Sequence, residues 1–209
     1  LARIDTWIFD LDNTLYPPAA RLFDQIEVRM TDYVMQALRL DRPEADRLRR
    51  DYWHRYGTTL AGLMAEHHVD PGPYLTTVHE IDLSALRPDP ALTAAIAALP
   101  GRKIVYTNAC GPYAGRVLAA RGLSDAFDAV YGVEHAGFRP KPEPEAFAAV
   151  FARDGLSPRN AAMFEDDPRN LAAPHAMGMR TVLVGPAAPA GDHIHHQTDD
   201  LAAFLSQVV

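Results

Sequence analysis

Cysteine is almost absent from this sequence, in which Cys110 is the single example. One thiol excludes an internal disulfide framework and is typical of proteins from reducing compartments. Long apolar runs are missing as well, since no stretch approaches the roughly 20 apolar residues that span a bilayer. No signal peptide is recognisable. These absences argue against a disulfide-rich secreted scaffold and a membrane protein, and we expect a cytoplasmic protein with no membrane partner.

Basic clusters are also scarce. The formal net charge is −7 over 209 residues, and the densest basic stretch, Arg47 to Arg50, stands among acidic residues. Because proteins bind duplex nucleic acid by neutralising its phosphates, we expect no duplex nucleic acid as a partner. A small anionic ligand is compatible with this charge, since a local site can be positive on an acidic protein. The sequence carries no signal of oligomeric state.

The pattern of apolar residues divides the chain into two parts. Residues 4–9 form a short apolar strand candidate, and from 17 to about 83 the pattern is helical, with four helices. After Pro88, helices and strands alternate with short connections, which predicts a parallel sheet with right-handed crossovers. We therefore predict an α/β protein, with a Rossmann-like core formed by 1–16 and 84–209. An all-helical cap of four helices, 17–83, is inserted into it.

Four further strands are predicted in the second part, at 103–106, 129–133, 161–164 and 181–184, and the last of these is expected to be the final strand. Three histidines follow in the tail: His193, His195 and His196. No framework of carboxylates or cysteines accompanies them as metal ligands, so we interpret them as part of a surface loop.

The first strand ends in two aspartates, Asp10 and Asp12, within the stretch F-D-L-D-N-T-L-Y-P. Aspartate is a poor strand former, and Asp, Asn and Thr commonly open turns by bonding to nearby backbone. The alternative is a paired-carboxylate site, because open α/β sheets bind ligands at the carboxyl ends of parallel strands. The residues after the other strands decide between the two.

Polar residues follow the second and fourth strands and precede the helix after the third. They are Thr107, Asn108, Lys141, Glu165, Asp166 and Asp167. Parallel strands place them on one edge of the sheet. Carboxylates crowded together repel each other without a cation, and Mg²⁺ binds carboxylates together with phosphate oxygens. Lysine, threonine and N–H groups at a helix start suit a phosphate. The pattern predicts phosphoryl transfer from a small phosphate ester, with Mg²⁺ as the cofactor.

These segments resemble the four signature segments of the haloacid dehalogenase-like phosphohydrolases. They occur in order as F-D-L-D-N-T, Y-T-N, K-P and E-D-D-P-R-N, and the resemblance covers nearly the whole chain, including the cap. It implies that Asp10 is the nucleophile, which forms an aspartyl-phosphate, and that Asp12 is the general acid and base. It also implies that Thr107 and Lys141 bind the transferring phosphoryl group, helped by the backbone around Asn108.

The same resemblance implies the Mg²⁺ ligands, which are Asp166, the Asp10 carboxylate and the Asp12 backbone carbonyl. Glu165 falls at a more variable acidic position. Asp167 falls where serine is frequent in relatives, and it either caps the following helix or contacts the metal. The dehalogenase branch lacks an aspartate at the position of Asp12, which favours a phosphatase or a phosphomutase.

Further stretches resemble the pyrimidine 5′-nucleotidase branch, among them H-E-I-D-L-S (79–84), R-N-L-A-A-P-H-A-M-G-M (169–179) and Y-G-T-T-L-A-G-L (56–63). The resemblance implies UMP or CMP as the substrate. The alternatives are phosphatases of other small metabolites, such as a sugar phosphate or phosphoglycolate, and a phosphomutase. A receiver-type signalling domain and an inactive binding module are the alternatives from other classes.

Specificity is expected to come from the cap, through the loop 57–59 between two of its helices. Trp53, His54 and Tyr56 lie just before this loop. They either stack on or bond to a base, or they pack inside the helical bundle, which is the commoner role of aromatic residues on helices.

Overall fold

A parallel sheet of six strands forms the centre of the computed structural model, which describes residues 4–186 and 191–208. The strands are β1 (Thr6–Phe9), β2 (Arg102–Tyr106), β3 (Ala129–Tyr131), β4 (Ala161–Glu165), β5 (Arg180–Val184) and β6 (His196–Thr198). Their order across the sheet is β3-β2-β1-β4-β5-β6, so β1 lies between β2 and β4. The predicted α/β class with a Rossmann-like parallel sheet is confirmed.

The central strand is buried on both faces of the sheet. Trp7 and Phe9 belong to one hydrophobic cluster, and Ile8 belongs to another. Strands covered on both sides read as continuous apolar runs, which is why β1 shows no alternation with polar residues. Phe9 stacks on Phe164 of β4, with ring centroids 4.7 Å apart. This packing holds β1 and β4 together just before the point where both strands end in acidic residues.

Among the described residues, five α-helices accompany the later strands: α5 (Pro90–Ala98), α6 (Gly111–Ala120), α7 (Pro144–Asp154), α8 (Arg169–Ala176) and α9 (Leu201–Ser206). Proline stands in the first turn of α5, α6 and α7. Backbone N–H groups in the first turn have no acceptor within the helix, so the N–H that proline lacks costs no hydrogen bond there. Within the described residues, no helix is both long enough and apolar enough to cross a membrane.

Four helices lie between β1 and α5, and we call them the helical segment: α1 (Leu22–Leu38), α2 (Arg42–Tyr56), α3 (Thr59–His67) and α4 (Pro71–Val78). Asp41 and Glu44 form a capping box at the start of α2, and Thr58 caps α3. Helices α2 and α3 pack closely because Gly62 has no side chain, and a Cβ there would lie 2.3 Å from the Tyr52 ring. The four predicted helices are present, and their boundaries as a separate domain stay a prediction.

The tail after β5 corrects the prediction made for it. Residues 181–184 are not the final strand, because β6 adds to the edge of the sheet, with His196 opposite Val182. The surface-loop prediction is therefore wrong for His196, whereas His193 and His195 lie outside the strands. The sequence H-Q-T has no apolar pattern because this short edge strand is held by backbone hydrogen bonds and is partly exposed. Residues 187–190 of the tail lie outside the described residues.

Candidate active site

The carboxyl ends of β1, β2 and β4 meet at one cavity of about 510 Å³, which is lined by residues of the sheet edge and of the helical segment. All of the site residues predicted from the sequence line it: Asp10, Asp12, Thr107, Asn108, Lys141 and Asp166. The Asp10 backbone N–H donates to the carbonyl of Phe164 at 2.9 Å, which continues the pairing of β1 with β4. Parallel pairing thus brings together residues that are up to 156 positions apart, from Asp10 to Asp166.

A buried lysine links the acidic residues of this cavity. Lys141 Nζ donates to Asp10 Oδ1 at 2.7 Å, to Glu165 Oε2 at 2.6 Å and to the Tyr106 carbonyl at 3.1 Å. Burial by itself lowers the pKa of Lys141, but the charges of Asp10 and Glu165 outweigh it and raise that pKa, so the lysine is charged. Glu165 was left outside the predicted site, and the signal for it was its position at the end of β4, next to Asp166.

The residues after β2 hold the lysine and offer a hydroxyl to the cavity. The Asn108 side-chain amide donates to the Lys141 carbonyl at 3.1 Å, and the Lys141 backbone N–H donates to Asn108 Oδ1 at 2.7 Å. Thr107 is buried, and its Oγ1 accepts the Ala109 N–H at 3.0 Å. Because Oγ1 acts as the acceptor in that bond, its own proton is free to be donated to an anion.

Two tyrosines hold the second aspartate. The hydroxyls of Tyr16 and Tyr113 donate to the same oxygen, Asp12 Oδ1, at 2.6 Å and 3.0 Å. Burial raises the pKa of both hydroxyls, so they stay protonated and act as donors. Burial also raises the pKa of Asp12. Sequence reasoning missed both tyrosines, although Tyr16 lies inside the F-D-L-D-N-T-L-Y-P stretch; no sequence signal points to Tyr113, which comes from α6.

Three carboxylates form the group best suited to a cation. One oxygen each from Asp10, Glu165 and Asp166 lies within 4.8 Å of the others. Burial and the neighbouring Glu165 raise the pKa of Asp10 to about 8, and burial with the charge of Asp10 raises the pKa of Asp166 to about 9. Both oxygens of Glu165 have donors, from Lys141 and from the Asp167 N–H at 3.2 Å. Both oxygens of Asp10 have donors as well, from Lys141 and from the Thr14 hydroxyl at 3.3 Å, so these hydrogen bonds do not rank Asp10 above Glu165 as a ligand.

Asp167 is bonded to the start of α8. Its Oδ1 accepts the Arg169 backbone N–H at 3.0 Å, and its Oδ2 lies 2.6 Å from the Arg169 guanidinium. Among the described residues it does not belong to the acidic group that can hold a cation. Asp167 therefore bonds to the first residue of α8, although Pro168 is the N-cap residue and α8 has no side-chain cap, and the choice between the two interpretations stays open.

The aromatic residues at the end of α2 separate into two groups. Trp53 and His54 line the cavity, and the Arg169 guanidinium lies over the Trp53 ring at 3.7 Å. Tyr56 is not among the described residues that line the cavity, and its ring packs edge-on against Tyr52 at 5.6 Å. The packing alternative therefore applies to Tyr56, whereas Trp53 and His54 are placed where they can meet a ligand.

The loop predicted to set specificity lies against the core. Residues 57–59 line the cavity, and a Cβ at Gly57 would lie 3.3 Å from the Lys141 carbonyl. Gly57 has a φ of +83°, which favours glycine. The close approach and the backbone conformation together explain why this position carries no side chain.

Comparison with known proteins identifies the family. The haloacid dehalogenase-like hydrolase family matches residues 4–178, which is most of the chain. The chain belongs to the haloacid dehalogenase-like hydrolases. The family expected from the four signature segments is confirmed, and with it an enzyme of the hydrolase class.

Three individual proteins that resemble this hydrolase are at most 27% identical to it. Phosphate metabolism protein 8 of Saccharomyces cerevisiae is 27% identical over 196 residues, which cover 85% of this chain and 60% of the yeast protein. A HAD phosphatase from Thermococcus onnurineus has a TM-score of 0.65 at 17% identity, with 98% of each chain covered. CbbY from Rhodobacter sphaeroides, in complex with phosphate, has a TM-score of 0.64 at 20% identity, with 95% of each chain covered. These two structures share the fold of this hydrolase.

Proposed function

We propose that this hydrolase is a Mg²⁺-dependent phosphomonoester hydrolase that acts through an aspartyl-phosphate on Asp10. The observation that carries the proposal is the pairing of buried Asp10 with Lys141 at 2.7 Å, beside a second carboxylate, Asp12, that two tyrosine hydroxyls hold. In this proposal, residues 17–83 act as a cap over a core of 1–16 and 84–209. We expect the reaction to take place in the cytoplasm.

The first half of the proposed reaction transfers the phosphoryl group to the protein. An Asp10 carboxylate oxygen forms a bond to phosphorus, and the ester P–O bond breaks with its electron pair on the alcohol oxygen. Asp12 enters as the neutral acid, which its raised pKa favours, and gives its proton to that oxygen. Thr107 and Lys141 bind the oxygens of the transferring group, and the lysine offsets their charge.

The second half releases phosphate. Asp12, now a carboxylate, takes a proton from a water molecule whose oxygen forms a bond to phosphorus. The bond between phosphorus and the Asp10 oxygen breaks, which yields inorganic phosphate and restores the carboxylate. Tyr16 and Tyr113 both bond to Oδ1 of Asp12, so its Oδ2 is the oxygen left to exchange the proton in both steps.

The acidic residues of the site fit a divalent cation. Asp10, Asp166 and the backbone carbonyl of Asp12 are the proposed ligands of Mg²⁺, which is a hard cation that prefers oxygen. Burial and the neighbouring carboxylates raise the pKa of Asp10 and Asp166, and a bound cation would offset the charge that burial disfavours. Mg²⁺ held by these residues would supply positive charge that the phosphate oxygens can also use.

Removal of Mg²⁺ is expected to destabilise the protein more at about pH 9 than at about pH 6, where both carboxyls are protonated without metal. Their pKa values lie above those of the unfolded chain, so without metal their contribution to stability is complete at low pH. It is lost as the pH rises through about 8 to 9. Saturating Mg²⁺ contributes about 2.7 kcal/mol at 100 times Kd, or roughly 5 to 10 °C for a domain of this size.

Thermal unfolding with Mg²⁺ and with a chelator, at both pH values and at equal ionic strength, measures this difference. A Mg²⁺ shift that is absent, or that is the same at the two pH values, would contradict metal binding by Asp10 and Asp166.

We also propose pyrimidine nucleoside 5′-monophosphates, UMP and CMP, as the substrates. The three stretches that resemble the nucleotidase branch support this class, and a cavity of about 510 Å³ falls in the range of small-molecule sites. The name of the yeast relative and the phosphate bound to CbbY agree with phosphate ester chemistry. The alternatives are esters such as a sugar phosphate or phosphoglycolate, and a phosphomutase reaction.

Release of inorganic phosphate from a panel of esters with Mg²⁺ tests the substrate class. We expect kcat/KM for UMP and CMP to exceed that for ribose 5-phosphate and phosphoglycolate by at least about 10-fold, because a base adds contacts that the smaller esters lack. If UMP and CMP are not among the better substrates, the nucleotidase proposal fails and the phosphatase proposal survives. Isomerised sugar phosphate without phosphate release would indicate a phosphomutase, and a lasting phospho-aspartate without turnover would indicate a receiver-type domain.

A further inference from the structure

A buried arginine of the helical segment lines the same cavity as Asp10. Arg49 lies on α2 and is 9% exposed. Its Nε has no hydrogen-bond partner among the described residues. The nearest carboxylates, Glu27 and Asp46, each lie 3.7 Å from its terminal nitrogen Nη2, which is beyond hydrogen-bond distance. A buried charged donor without an acceptor is unfavourable, so this side chain suits a ligand that supplies one.

A purely structural role leaves the buried Nε of Arg49 without an acceptor among the described residues. Asp46 already accepts a hydrogen bond from the Thr31 hydroxyl at 2.6 Å, which ties it to α1. Glu27 is half-exposed and lines the cavity together with Arg49. The two carboxylates balance the charge of Arg49, but at 3.7 Å neither bonds to it. An ion pair between α1 and α2 therefore compensates the charge of Arg49 but gives its buried Nε–H no acceptor.

The charges around Arg49 indicate which kind of ligand fits. Two carboxylates face one guanidinium, so a second anionic group on the substrate would be repelled by Glu27. A neutral carbonyl oxygen can accept from Arg49 without that repulsion, and an adjacent N–H or amino group can donate to Glu27. The uracil ring carries such a carbonyl beside its N3–H, whereas in cytosine the unprotonated N3 separates the carbonyl from the amino group.

We propose that Arg49 and Glu27 recognise the uracil base of a nucleotide, with Arg49 donating to a ring carbonyl and Glu27 accepting from the neighbouring N3–H. The pair selects against leaving groups that carry a second negative charge. This inference rests on the proposed function and deepens it, because it assigns the choice of substrate to two residues of the helical segment.

Arg49→Met tests the donor role. The ratio of kcat/KM for UMP to that for ribose 5-phosphate, which has the sugar and phosphate without the base, is expected to fall at least about 10-fold. Uridine binding, measured by calorimetry, is expected to weaken by a similar factor. Arg47→Met is the matched control, because Arg47 is an exposed arginine of the same helix outside the described lining of the cavity, and we expect it to keep the wild-type ratio.

Glu27→Gln tests the charge role in a residue whose side chain is half-exposed. It is expected to raise kcat/KM for phosphoglycolate relative to UMP at least several-fold, because the repelling charge is gone. An unchanged ratio in this variant would overturn the proposal. This test still decides if thermal unfolding shows that Arg49→Met is not folded.

Two further results separate this inference from the proposed function. Equal losses on UMP and ribose 5-phosphate in folded Arg49→Met, or no binding of uridine to the wild type, would overturn the role of Arg49. No phosphate release from any ester, combined with uridine binding that depends on Arg49, would instead support the base site and remove the phosphatase function.

Discussion

Asp10→Asn is expected to abolish Mg²⁺-dependent phosphatase activity, with kcat for UMP falling at least about 10⁴-fold. The amide that replaces the carboxylate is a far weaker nucleophile, so the aspartyl-phosphate cannot form. Loss of the nucleophile in another covalent hydrolase lowers kcat about 10⁶-fold. The measurement is release of inorganic phosphate from UMP with saturating Mg²⁺.

Asp125→Asn is the matched control for this variant, because Asp125 is exposed and does not line the described cavity. We expect it to keep wild-type turnover. Asp10→Asn is expected to remain folded, since Glu165 still pairs with Lys141 at 2.6 Å. Wild-type turnover in folded Asp10→Asn would exclude Asp10 as the nucleophile.

Lys141→Met is expected to lower both stability and activity. It leaves the buried carboxylates of Asp10 and Glu165 without the cation that lies within 2.7 Å of both. Removal of one partner from a buried ion pair lowers the free energy of unfolding by about 3 to 5 kcal/mol. Turnover of UMP is expected to fall at least about 100-fold, because the phosphoryl oxygens lose a positive charge in a buried site. Chemical unfolding with a chelator present, at about pH 9 where Asp10 is ionised without metal, measures the first effect.

A second substitution separates the two effects of Lys141. Adding Glu165→Gln to Lys141→Met removes one of the unpaired charges, so the double variant is expected to regain stability without regaining turnover. Lys103→Met is the control, because the Lys103 ammonium bonds to the carbonyls of Leu99 and Gly101 and to no carboxylate of the described residues. An unchanged free energy of unfolding in Lys141→Met would contradict the ion pairs with Asp10 and Glu165.

The order of helices and strands followed closely from the sequence, and the reasons are local. Apolar runs such as Trp7-Ile8-Phe9 and proline at helix starts act within a few residues, so they identify β1 and most helices. The failure at β6 has the opposite cause. His196–Thr198 is a strand because its backbone pairs with β5, and nothing in its own side chains predicts that pairing.

The carboxylates of the candidate site were also predictable, because they follow directly from strand ends, whereas Lys141 stands in the loop just before α7. Asp10 and Asp166 come just after β1 and β4, and parallel pairing of these neighbouring strands puts them on one edge. The roles assigned to them stay predictions. The family was identifiable for the same reason, since three of its four signature segments are strand ends and the fourth, K-P, lies just before α7.

By itself, the sequence determined the α/β class, the family and which carboxylates meet. The tertiary structure alone decided which side chains surround those carboxylates. It places Tyr113 on Asp12, Glu165 on Lys141, and Arg49 in the same cavity. A periodic pattern of apolar residues indicates which face of a helix is buried. What that face touches depends on how the helix packs against residues far away in the chain, and that packing is set by the whole core.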